Sequence, residues 1–247
     1  MLNKKRINDI VDDNYVYASV LFYLGIEFYH YSEKTLEQVC IDKGLDIQTV
    51  INRLESVSNK DEDKLQLSGY PIDLIVEYLK HTHYIFIKEK LPYIARLIEN
   101  LRTDSKIISA TEKDLQFVFP LFVEDFIHHV YQEEDSLFSY ILLINKFLNG
   151  KANPSKVYFE IEKHSLQKYA VEHEEHDDEM KGIRRITNNY TCNDKSPLHL
   201  KVIYAELQQL EKELITHAKV ENEILFPKAL MLERQAKHLI QEKIQYN

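Results

Sequence analysis

At 247 residues, 44% hydrophobic and 29% charged, the chain has the balance of a soluble globular protein long enough to bury a sizeable core, as one large domain or a small one plus a larger one. A formal net charge of -9 with no dense Lys/Arg run excludes nucleic acid as the main partner, and only 5 Gly and 6 Pro leave too little turn material for a many-stranded sheet. The two cysteines, Cys40 and Cys192, exclude a disulfide framework.

The opening MLNKKRINDIVDD has no apolar run of signal-peptide type, and the longest apolar stretch, 16–26, is interrupted by Ser19 and Gly25 and is too short to span a bilayer. A soluble, cytoplasmic protein with no membrane partner is expected. Residues 1 to about 57 read as short helices, because apolar positions recur at helical spacing in INDIV, YVYASVLFYLGI and TLEQVC. GLDIQTVINRLE opens with Asp46 as N-cap, and Gly25 and Gly44 punctuate the series. Residues 58–70, with SNKDEDKLQLSG, are polar and charged as a linker is, and a domain boundary is expected there.

Four long helical segments follow over 71–247. The first begins near Pro71, suited to the first helical position, and runs to Leu91-Pro92, where a bend is expected, and on to about Leu101. The second spans about Thr111 to Leu148, with a kink at Pro120 and a stop at Gly150. A third follows Asn153-Pro154 and reaches about Thr187, before the turn NNYTCNDKSP. The fourth starts with Ser196 as cap and Pro197 inside it, runs to Phe226-Pro227, and is followed by a short terminal helix. This pattern predicts an all-α protein: an antiparallel four-helix bundle preceded by a small helical N-terminal domain.

One ten-residue pattern occurs twice. HVYQEEDSLF holds His129, Glu133, Leu137 and Phe138; HAKVENEILF holds His217, Glu221, Leu225 and Phe226. Both read H-x-x-x-E-x-x-x-L-F. Residues four apart stack on one helix face, so each His-Glu pair can offer an imidazole nitrogen and a carboxylate oxygen to one metal centre. The Leu one turn on continues the stripe and turns the pair inward. A single copy, among 11 His and 40 acidic residues, would be an ordinary ion pair on a wet face. Two copies with the same trailer on long helices point to a metal site.

In an up-down-up-down bundle the second and fourth helices run the same way, so the two faces meet across the core. The other ligands must then come from the first and third helices. The third offers His173 and His176 in VEHEEHDDE, of which His176 is favoured because Glu175 and Asp177 flank it, while the remaining acids suit a solvated face. The first offers His81 and His83 in KHTHYIF. Imidazoles and carboxylates in a dry core suit iron, with paired Glu bridging two ions; zinc and manganese are chemically compatible.

The His-before-Glu order departs from the Glu-x-x-His of ferritin-like di-iron proteins and resembles the hemerythrin-like fold. More closely, both ten-residue copies, EEHDDE, RITNNYT and KEKLP, with NDIVDDNYVYASVLFYLGIEF and KTLEQVCIDKGLDIQTVINRLE, resemble the repair-of-iron-centres family of hemerythrin-like di-iron proteins over nearly the whole chain. The resemblance implies a cytoplasmic protein with two non-haem irons, oxo- or hydroxo-bridged, that restores iron–sulfur clusters damaged by nitric oxide or peroxide. Its clients would be the damaged iron–sulfur proteins, and an unidentified reductant would serve it.

Carried over residue by residue, the resemblance places metal-ligating imidazoles on His129, His176 and His217 and bridging carboxylates on Glu133 and Glu221. The family's first-helix ligand position falls on Tyr84. Adjacent residues point about 100° apart on a helix, and His83 is the assignment, with His81 and the Tyr84 phenolate as alternatives. Glu134, beside Glu133, Asp125, one turn before His129, and Glu175 are expected to support the ligands or line a cation path.

Where the family carries Cys-Cys-Gly-Gly, this chain has Tyr29, His30, Tyr31 and Ser32, so a vicinal thiol route is excluded. Cys40 in TLEQVC reads as a small core residue. A rival reading keeps the site but makes it a dioxygen- or nitric-oxide-binding sensor or carrier. A metal-free bundle would leave several charged groups in the core uncompensated. A homodimer through the Tyr- and Phe-rich small domain is a further expectation, beside a monomer.

Overall fold

The computed structural model describes residues 2–57, 67–102, 106–176 and 178–245, with side chains described throughout except at 106–109, 172–176 and 243–245. Most of the expected linker, 58–66, lies outside the described residues. Every regular element among the described residues is helical, and the one β-type pairing is an isolated bridge between Arg6 and Thr35. The all-α expectation holds.

Four short helices come first: α1 (Ile7–Asp13), α2 (Val16–Tyr23), α3 (Leu36–Lys43) and α4 (Ile47–Val57). Thr35 and Gln38 form a reciprocal capping box at the start of α3. Asp46 caps α4 as its position implies, its Oδ2 accepting the Thr49 N–H at 2.8 Å. Gly44 ends α3 at φ 65, a left-handed conformation that a Cβ would penalise, while Leu45 N–H bonds back to Cys40 O.

The later elements are α5 (Ile72–Ile85), α6 (Leu91–Asn100), α7 (Lys106–Gln132), α8 (Ser139–Leu148), α9 (Pro154–Lys163), α10 (Leu166–His176), α11 (Lys181–Ile186), α12 (Leu198–Val220) and α13 (Phe226–Gln245). At three joints the helix widens into a π turn: Phe86–Lys90 between α5 and α6, Glu133–Phe138 between α7 and α8, and Glu221–Leu225 between α12 and α13. The bend expected at Leu91-Pro92 takes this form, and so does Phe226-Pro227, where the fourth helix was expected to end but instead continues. Leu91 N–H bonds to Phe86 O and Phe226 N–H to Glu221 O, each five residues back. The next residue in each case is the proline. It has no N–H and its ring would strike the carbonyl four residues earlier, and the wider turn relieves both problems. The third π turn has no proline; there Ser136 Oγ donates to Gln132 O at 2.9 Å and Ser139 Oγ to Glu134 O at 3.0 Å. The terminal helix α13 is thus a 20-residue continuation of the fourth segment.

The expected third helix is interrupted. His164 is extended at φ -111, ψ 150, and Ser165 Oγ then accepts the Lys168 N–H at 3.2 Å to begin α10. The NNYT turn holds Asn188, Asn189 and Tyr190 in succession at positive φ, anchored by Tyr190 N–H donating to Thr187 Oγ1.

The chain forms two compact units. One comprises 1–64, 92–117 and 183–210, with Ile7, Leu21, Leu36, Leu54, Leu97 and Ile203 fully buried. The other comprises 65–91, 118–182 and 211–247. In this second unit α13 packs on α8, α9 and α10, and α5 packs on α8 and on the π turn that follows α12. Its core joins Ile75, Leu79, Phe138, Ile141, Leu225 and Ala229. No helix among the described residues is long and apolar enough to cross a membrane.

Candidate metal centre

The L-F trailers behave as their spacing implies: Leu137, Phe138, Leu225 and Phe226 are all buried, which anchors both His-Glu faces toward the interior of the second unit. On α5 the apolar stripe Ile72, Ile75, Val76, Leu79 runs on to His83 and then to Phe86 at helical spacing. His83 is therefore 2% exposed, whereas His81 and Tyr84 fall off the stripe and face solvent.

These three stretches bring His83, Glu133, His217 and Glu221 together, with one ligand atom from each lying within 4.8 Å of all the others. His83 Nε2 is 2.9 Å from His217 Nε2 and 3.4 Å from Glu133 Oε2, and His217 Nε2 is 3.4 Å from Glu221 Oε1. Two metal–ligand bonds of about 2.1 Å at right angles span about 3.0 Å. The spacings match edges of a coordination shell, and two imidazoles with two carboxylates are a donor set that iron accepts. Buried carboxylates are stabilised by a partner of opposite charge, an imidazolium or a bound metal. The residues fit a metal.

His129 stands at the margin, its side chain 35% exposed, with Nε2 3.1 Å from Glu133 Oε1. Glu134 lies behind the group as expected, its Oε1 3.0 Å from His83 Nδ1. Burial pushes the His83 pKa down, but hydrogen bonds and charge from Glu133, with Glu134 and Glu221, outweigh it and leave the pKa raised. Asp125 and His128 are exposed on α7. His176 and Glu175 fall in the part of α10 whose side chains lie outside the described residues.

Three neighbours escaped sequence reasoning. Thr82 Oγ1 lies 2.7 Å from His217 Nδ1, the Phe138 ring stacks on His83 at 5.7 Å, and Phe86 meets His217 edge-on at 5.8 Å. The aromatic rings were legible only as core, and a threonine inside a helix carries no pattern of its own.

In the N-terminal region Cys40 is buried, and burial raises its thiol pKa, as a core cysteine's should be. His30, in the segment that replaces the family's thiol pair, is exposed and its Nε2 is 3.1 Å from Glu27 Oε2.

The hemerythrin HHE cation-binding domain matches residues 74–229, more than half of the chain. The iron-sulfur cluster repair protein ScdA of Staphylococcus haemolyticus is 18% identical over 230 residues, covering 92% of this chain and 98% of that protein. The iron-sulfur cluster repair proteins YtfE of Escherichia coli O8 and of Musicola paradisiaca are 24% and 22% identical, over 80% and 86% of this chain and 84% and 90% of theirs. The resemblance to repair-of-iron-centres proteins is borne out.

Proposed function

Because the chain belongs to the hemerythrin HHE cation-binding family, we propose that it is a non-haem di-iron protein that repairs iron–sulfur clusters damaged by nitrosative or oxidative stress. The observation that carries the reading is the convergence of both H-x-x-x-E copies with His83 in one buried group. The relatives named as iron-sulfur cluster repair proteins, matched over most of their length, supply the client class.

In this reading His83, His217, Glu133 and Glu221 hold metal, His129 completes the set at the exposed margin, and His176 adds a ligand from α10. Bound iron supplies one-electron redox chemistry and a stock of exchangeable metal. The chain's own part is to orient and to exclude water. Phe138 and Phe86 wall the two buried imidazoles, and Glu134 orients His83 by accepting its Nδ1–H. The margin at His129, left partly open, is where a small molecule or a reductant would approach.

Damaged iron–sulfur proteins are the proposed clients, and the site of action is the cytoplasm, which suits the free thiols of Cys40 and Cys192. Residues 1–57 are assigned to the family's small N-terminal domain and 71–247 to its bundle. The test is metal analysis with an electronic spectrum on wild type and the Glu133→Ala, Glu221→Ala double variant, followed by reactivation of a nitric-oxide-inactivated cluster enzyme. About two irons per chain, lost in the variant, with reactivation beyond that given by free ferrous iron, is the expected result. An iron content that ignores both substitutions would overturn the reading.

A further inference from the structure

We propose that Thr82 is a positioning residue that fixes which nitrogen of His217 carries the proton, and so which one faces the metal. The proposal rests on the metal-centre reading above and concerns a residue outside the ligand set. Thr82 lies on α5 directly before His83, and successive helical residues point about 100° apart. One turn of α5 thus delivers a ligand to the centre and a hydroxyl to the far side of a ligand on α12.

The argument is a count of protons. A threonine hydroxyl has one proton and two lone pairs. Thr82 Oγ1 donates its proton to Leu79 O, three residues back, at 2.7 Å, a common arrangement for threonine inside a helix. The contact between Oγ1 and His217 Nδ1, also 2.7 Å, can then be a hydrogen bond only if the proton sits on Nδ1. His217 Nε2 is left bare, and Nε2 is the atom grouped with His83 Nε2 and Glu221 Oε1.

His83 is oriented by another partner. Glu134 as a carboxylate can only accept, so the proton between it and His83 Nδ1 belongs to the imidazole. Both rings direct Nε2 toward the centre, 2.9 Å apart, so without metal a proton lies between them on His83 Nε2, which a bound metal would displace; one ring is backed by a charged acceptor and the other by a neutral one. A carboxylate behind an imidazole raises its basicity as a ligand more than a hydroxyl does. His83 is the stronger donor of the two, and His217 depends on Thr82 for orientation.

Thr82→Val keeps the shape of the side chain and removes the hydroxyl, while Thr82→Ser keeps the hydroxyl. The tautomer of His217 is read by nitrogen NMR of isotope-labelled histidine in the metal-free protein at about pH 9, well above the ordinary imidazole range. Metal affinity is read by competition of ferrous ion with a chelator. Wild type and Thr82→Ser are expected to show His217 protonated on Nδ1 and similar affinities. In Thr82→Val the tautomer should become mixed and the affinity fall about 10- to 100-fold. A wild-type His217 protonated on Nε2, or a Thr82→Val protein with unchanged tautomer and affinity, overturns the proposal. Should wild type bind no ferrous ion while the tautomer still follows the hydroxyl, the positioning role stands and the metal-centre reading fails instead.

Discussion

Glu133 reaches two helices at once: its Oε1 lies 3.1 Å from His129 Nε2 one turn earlier in its own chain segment, and its Oε2 lies 3.4 Å from His83 Nε2 on α5. If the centre holds two ions as proposed, a carboxylate with its two oxygens directed at two imidazoles is placed to serve both. Glu133→Gln keeps the shape and removes the charge. Metal content should fall from about two ions per chain to one or fewer, with affinity weakened at least about 100-fold, more than for an outer partner. Metal analysis after exhaustive dialysis checks this, and full loading of the Gln variant would argue against a bridging role.

His199 carries a separate, acid-sensitive part of the stability. Its ring stacks on Tyr29 at 4.5 Å and 4°, with Phe28 edge-on at 5.5 Å. Burial lowers its pKa to about 4, partly offset by a hydrogen bond to the Leu97 backbone. The folded pKa is thus below the unfolded value of about 6.5, so the unfolded chain takes up a proton first as pH falls. The contribution is complete above about pH 6.5 and is lost progressively toward pH 4, by up to about 3 kcal/mol. His199→Phe keeps the stack and should flatten that part of the stability profile in urea titrations. An unchanged slope in the variant would assign the acid sensitivity to other groups.

Helix content, the order of the four long segments and both His-Glu pairs were legible because each rests on a period of 3.6 residues that side-chain chemistry prints directly onto the sequence. His83, the assignment over His81 and Tyr84, lies on the stripe that Ile72, Ile75, Val76 and Leu79 define, although the family register falls on Tyr84. The π turns were not legible as such. One extra residue in a turn leaves no compositional mark, and Pro92 and Pro227 announce a break without saying that the helix will widen instead of stopping. The interruption at His164 was hidden for a related reason: Ser165 as a cap competes with an otherwise helical run, and the outcome depends on packing. Thr82 becomes visible only when α5 and α12 are side by side.

Tyr140 and Glu233 form a buried polar pair away from the centre. The Tyr140 hydroxyl donates to Glu233 Oε1 at 2.7 Å, Lys237 Nζ lies 3.1 Å from Glu233 Oε2, and Glu233 is only 6% exposed. Burial and the carboxylate keep the phenol protonated far above its ordinary range. Tyr140→Phe removes one donor and leaves part of a charged group unsatisfied, which costs about 1–3 kcal/mol. For a chain of this size that is a drop in melting temperature of roughly 2–10 °C. Glu233→Gln together with Tyr140→Phe should cost less than the sum of the single changes, because the charge that made the loss expensive is gone. Strict additivity in calorimetry would mean that the two side chains do not cooperate.

Pro227 tests whether the wide turn serves the centre or is only tolerated. Glu221 opens the π turn, and Phe226 N–H reaches back to its carbonyl, while Pro227 prevents the ordinary bond to Glu223. Alanine restores an N–H at 227 and favours a regular helix. The residues on either side would then shift phase by up to about 100°, turning the Glu221 carboxylate relative to α13. Metal affinity of Pro227→Ala should fall about tenfold or more, consistent with a displaced ligand, while the metal-free protein becomes no less stable, since proline inside a helix is costly by about 3 kcal/mol. Pro92→Ala is the matched control, because its π turn follows His83 and contains no carboxylate ligand. A Pro227→Ala protein that binds metal as tightly as wild type but melts lower would show that the proline stabilises the helix joint, and that the position of Glu221 is set by packing of Leu225 and Phe226 alone.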